Sequence, residues 1–106
     1  MRPEDELAKA VVAARGELDL ALASGRRWPR AEFLRLVEAV LAYTRATAGK
    51  PMIHRAVACA VSGLREYVDV ASKRVPGGAL AEADRLEVLL FSDYDPHFDG
   101  DEPPGL

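Results

Sequence analysis

Apolar residues recur every three or four positions through most of the chain, and prolines and glycines cut that rhythm into segments. Such spacing places apolar side chains on one face of an α-helix, and no segment alternates with the period of two that a strand requires. The first stripe is Leu7, Val11, Ala14, Leu18 and Leu22. Pro3 followed by Glu4, Asp5 and Glu6 suits the positive end of a helix dipole, and Gly25 with Arg26 and Arg27 suits the negative end, so a helix is predicted over about residues 3–24. Pro29 opens a second helix with Phe33, Leu36, Val37, Val40, Leu41 and Thr44 on one face, and Gly49 ends it.

Pro51 opens a third helix, whose stripe is Ile53, Val57, Ala60, Leu64, Val68, Ala71 and Val75, and Pro76-Gly77-Gly78 stops it. Ala56, Ala60 and Gly63 leave part of its surface almost bare. Glycine costs about 1 kcal/mol of helix propensity relative to alanine, so Gly63 reads as a point where a neighbouring backbone packs closely. A fourth helix over about residues 79–91 carries Ala79, Ala83, Leu86 and Leu90 on one face. At 1.5 Å per residue it covers roughly 20 Å, whereas each of the others covers about 30 Å, and a groove is expected beyond Phe91. The expected fold is all-α: an up-and-down bundle of four helices, the fourth short, in residues 1–91, followed by an irregular acidic C-terminal tail in residues 92–106.

A length of 106 residues, 49% of them hydrophobic, suits one domain. A chain of this size buries roughly 65% of the surface its unfolded form exposes, enough for one core without disulfides or a structural metal. Cys59 is the only cysteine, which excludes an intrachain disulfide and any multi-cysteine metal site and suits a reducing compartment. The acidic start Glu4-Asp5-Glu6 does not read as an export signal, and the uncharged run from Ala56 to Leu64 is less than half of a membrane span of about 20 residues. A cytoplasmic protein without membrane contact is expected.

The net charge of −3 conceals a division. Residues 1–75 hold 13 Lys and Arg against 9 Asp and Glu, whereas residues 76–106 hold only Arg85 against 8 carboxylates. The last fifteen residues contain three prolines, two glycines and five carboxylates, which precludes a helix, yet they keep Tyr94 and Phe98. Disordered composition is poor in aromatics, so this segment reads as a contact element. Either it folds back along the bundle, with Asp93, Asp95 and Asp99 facing arginines, or it projects and docks on a basic, aromatic-accepting groove of another protein.

Signatures of chemistry are weak. Asp95-Pro96-His97-Phe98-Asp99-Gly100-Asp101 echoes the first half of a calcium loop, but Leu106 stands where a bidentate Glu is needed. Cys59 lies five residues from His54, a rotation of about 140° around a helix, so no activated thiol is expected and Cys59 reads as a small buried residue. His54 reads as an exposed polar residue without a special role, and His97, flanked by carboxylates, as a conceivable pH-sensitive contact. No phosphate-cradling glycine loop, helical His–Glu–His set or Glu-x-x-His pair occurs. Neither catalytic residues nor a metal or other cofactor are expected.

One further cluster, Arg26-Arg27-Trp28-Pro29-Arg30 with Arg35 a turn on, combines guanidinium groups with an indole. It is either a hydrophobic lid over the bundle end or a surface that stacks on bases and grips phosphates. The function expected is that of a non-catalytic protein–protein interaction module, an adaptor, regulator or small accessory subunit. Its contact residues would be Tyr94, Asp95, His97, Phe98, Asp99, Asp101 and Glu102, with Trp28 and Arg30 as a secondary surface. The alternatives are a nucleic-acid-binding accessory protein using the Arg26–Arg35 patch, which the overall acidity disfavours, and a self-associating scaffold.

Overall fold

The apolar stripes fold into helices that share one core. The structure, a computed structural model, describes residues 3–25, 27–72 and 75–92. Among the described residues every regular element is a helix: α1 (Pro3–Ser24), α2 (Arg30–Thr47), α3 (Arg55–Val61), α4 (Leu64–Ala71) and α5 (Gly77–Ser92). Val11 and Leu18 of α1, Leu36, Val40 and Tyr43 of α2, Val57 and Val61 of α3, Leu64 and Val68 of α4, and Leu86 of α5 are fully buried in a single cluster. Burying each such side chain contributes roughly 1.5–3 kcal/mol, so the convergence of these stripes is the main force holding the helices together.

α1 and α2 form an antiparallel pair. Glu4 at the start of α1 meets Lys50 just beyond α2 at 2.7 Å, and Glu17 meets Arg35 near the start of α2 at 3.2 Å. These pairs are exposed and contribute little energy, but they mark the register. α5 lies along α2, with its first turn near Phe33 and Val37 and its last near Thr44 and Thr47.

The single third helix expected over residues 51–75 is two helices. Pro51, Met52, Ile53 and His54 precede α3, because the buried Tyr43 hydroxyl accepts the His54 backbone N–H at 2.8 Å while His54 is held extended (φ −63°, ψ 132°). The second break is at Ser62 and Gly63, where Gly63 takes a left-handed conformation (φ 70°, ψ 16°). A side chain at positive φ costs roughly 1–2 kcal/mol, and glycine avoids that cost. A Cβ placed at Gly63 would meet nothing within 4 Å, so the close-packing role expected from the sequence is corrected: Gly63 is needed for its backbone angle.

Two long-range hydrogen bonds hold this break. Glu87 of α5 accepts the Gly63 N–H at 3.1 Å, and Arg15 of α1 donates to the Ala60 carbonyl in the last turn of α3. The Arg15 guanidinium also pairs with Asp19 at 2.9 Å and lies 4.6 Å from the centre of the Tyr67 ring of α4. One side chain thus bridges α1, α3 and α4.

Candidate functional site

The chain between α1 and α2 is short, and its conformation presents an indole at the bundle end. Gly25 is left-handed (φ 68°), and its N–H donates to Leu22 O at 3.1 Å to close α1. Arg30 N–H donates to Trp28 O at 2.9 Å and Phe33 N–H to Pro29 O at 3.0 Å, which starts α2 without a side-chain cap. Trp28 is half-buried against the core, its ring tilted 53° to that of Phe33 with centroids 5.2 Å apart. Trp28 thus packs on the core, as the lid alternative has it, and one part of the indole still faces solvent.

A cleft lies on each side of that indole. One, of about 530 Å³, is lined by Ala21, Ser24, Arg27, Trp28, Arg30 and Glu32. The other, of about 380 Å³, runs between α2 and the start of α5 and is lined by Trp28, Arg30, Phe33, Leu34, Ala79 and Glu82 among others. Trp28 and Arg30 belong to both. The carboxylates beside these clefts are matched internally, Glu32 to Arg35 at 3.8 Å and Glu82 to Arg85 at 2.7 Å. Arg27 and Arg30 are exposed and form no ion pair with another described residue. The clefts therefore combine an aromatic wall with two arginines that pair with no other described residue, where the negative end of α1 adjoins the positive end of α2, a setting in which the guanidinium groups attract carboxylates and the indole receives apolar groups.

A third cleft, of about 380 Å³, lies where the sequence placed a groove, at the end of α5. Thr44, Thr47, Lys50, Ile53, Leu90 and Phe91 are among its lining residues. Its polar groups are already engaged: the Thr44 hydroxyl donates to Leu41 O and that of Thr47 to Tyr43 O, both at 2.9 Å, and Lys50 binds Glu4. It offers a recess of mixed polar and apolar lining whose one cation, Lys50, is already paired.

His54 and Cys59 differ from their sequence readings. The His54 ring lies 3.0 Å from Asp5 Oδ1 and edge-on to Tyr43, with centroids 6.4 Å apart, so it fastens the start of α1 to the segment before α3. Tyr43 touches the His54 backbone through its hydroxyl, and the trio orders a loop. Cys59 is exposed, not a buried filler, because it lies about 200° around the helix from Val57, opposite the face of Val57, Ala60 and Val61 that turns inward. Asp5, Arg15 and Tyr43 gained their roles from contacts 11 to 49 residues away in sequence, a separation that no local pattern signals.

Of the contact residues expected from sequence, the structure brings Trp28 and Arg30 together, with Arg27 beside them. Tyr94, Asp95, His97, Phe98, Asp99, Asp101 and Glu102 lie outside the described residues, as do Arg26 and the rest of residues 93–106. Among the described residues no group of three or more His, Cys, Asp or Glu side chains is placed to hold a metal ion, and no helix is long and apolar enough to cross a membrane. No family model, no curated protein and no solved structure matches the chain.

Proposed function

We propose that this chain is a non-catalytic protein–protein interaction module, an adaptor or small accessory subunit working in a cytoplasmic setting. In this reading α3 and α4 count as one bent column, and the helices form an up-and-down scaffold that holds Trp28 rigidly. The observation that carries the proposal is the paired cleft around Trp28, with Arg27 and Arg30 at its edge pairing with no other described residue. Hot spots of protein interfaces favour tryptophan and arginine beside apolar recesses, and the surrounding charge sets orientation and association rate. The acidic segment with Tyr94, Asp95, His97, Phe98, Asp99, Asp101 and Glu102 is the second contact element, offering rings and negative charge to a partner.

The test is co-purification of partners with the full chain, with Arg27→Glu/Arg30→Glu, and with Tyr94→Ala/Phe98→Ala. A partner retained by the natural chain and lost by either variant, at unchanged thermal stability, is the expected result. Partners indifferent to both variants would overturn the proposal. The same arginines and indole suit stacking on a base. That reading predicts retardation of RNA or DNA that weakens steeply with salt and is lost in the arginine variant.

A further inference from the structure

We propose that the acidic C-terminal segment of one copy of this chain docks in the Trp28 clefts of a second copy, producing head-to-tail self-association. The inference rests on the interaction reading above and names its partner.

Charge complementarity selects the occupant. Residues 93–106 carry Asp93, Asp95, Asp99, Asp101 and Glu102 with no lysine or arginine, and the clefts carry Arg27 and Arg30, which pair with no other described residue, beside carboxylates that already have cations. Ring complementarity follows. Tyr94 and Phe98 are four positions apart, a spacing of up to about 13 Å in an extended segment, and the indole separates two clefts of about 530 and 380 Å³, each large enough for an aromatic side chain.

Reach selects another copy over the same chain. The second cleft includes Pro76 and Gly78 at the start of α5, while the segment departs from Ser92 at its end. The 16 residues of α5 rise about 24 Å. Tyr94, two residues past Ser92, extends at most about 7 Å, and Phe98 about 20 Å when fully straight. A chain cannot seat both rings beside its own Trp28. The cleft within reach of Ser92, between Thr44, Thr47 and Ile53, has no unmatched cation to receive the carboxylates. A contact between unlike surfaces of two copies is heterologous and propagates into open chains or closes as a ring.

Sedimentation velocity on the full chain over a wide concentration range tests this, with Trp28, the only tryptophan, as a fluorescent reporter. The expected result is a mass that rises with concentration and falls with salt. Arg27→Glu/Arg30→Glu and Tyr94→Ala/Phe98→Ala should each weaken association by about tenfold or more. Mixing those two variants should restore a one-to-one pair that grows no further, because one supplies an intact segment and the other an intact cleft. A synthetic peptide of residues 93–106, added to the Tyr94→Ala/Phe98→Ala chain, should shift Trp28 emission, and a peptide with both rings replaced by alanine should not. A monomer at every concentration, self-association unaffected by both variants, or an emission unmoved by the peptide would overturn the proposal. If the chain stays monomeric while the arginine variant still loses a foreign protein partner, the self-association is wrong and the interaction reading stands.

Discussion

The Glu87 carboxylate accepts the Gly63 backbone N–H at 3.1 Å, so a side chain of α5 secures the point where the helical path after His54 breaks in two. The bond joins residues 24 apart and supplies an acceptor for a donor in the turn between α3 and α4. Glu87→Ala removes that acceptor from a half-buried site and should destabilise the fold by about 1 kcal/mol. Glu87→Gln, which keeps a carbonyl oxygen, should recover most of the loss. Urea denaturation of the three chains measures the difference.

Gly63→Ala should cost about 1 kcal/mol. The alanine strain at φ 70° exceeds what is gained by restricting the unfolded chain, and no steric term is added because nothing lies within 4 Å of the new Cβ. Gly63→Asn should cost less, since asparagine tolerates the left-handed region better. Equal losses for the two variants would show that backbone angle is not the reason for glycine here.

Arg15→Met keeps much of the apolar stem but removes the donor to Ala60 O, the Asp19 pair and the cation over Tyr67. A loss of roughly 1–3 kcal/mol is expected, because the Ala60 carbonyl then lacks a charged donor. Arg15→Lys should rescue only part of it, since an ammonium cannot serve a carbonyl, a carboxylate and a ring face from one planar group. Thermal melts of the three proteins provide the comparison.

Tyr43→Phe leaves the ring in the core and deprives the His54 N–H of its acceptor. The expected cost is about 1–3 kcal/mol, with faster amide hydrogen exchange concentrated at His54 and the start of α3. Unchanged exchange there would show that the hydroxyl does not order this loop.

Cys59 should react with a disulfide thiol reagent in native buffer to one equivalent, without unfolding, within about tenfold of the rate of a free peptide thiol. Reaction only after denaturant is added would return Cys59 to the core.

Periodicity along the chain was sufficient for the helical class, for the extents of the first two helices within a residue or two, and for the core positions Val11, Leu18, Leu36, Val40, Val57, Leu64 and Leu86. Those properties depend on residues three or four apart, which a linear pattern contains. The clefts around Trp28 were half legible. Arginine beside an indole is visible in sequence, but whether Arg27 and Arg30 remain unmatched depends on Arg35 reaching Glu17 and Glu32 and on Arg85 taking Glu82.

What the amino-acid order determined by itself is a set of amphipathic helices, a single core and a separation of positive body from negative end. Tertiary structure alone decided that the helical path between His54 and Ser72 is broken, that His54 fastens the start of α1, and that Arg27 and Arg30 flank Trp28 without pairing with another described residue. The physical reason is one of range. Helix propensity and stripe spacing act within a turn or two, whereas the hydrogen bonds of Tyr43, Glu87 and Arg15 close between residues 11, 24 and 45 positions apart and exist only once the helices have packed.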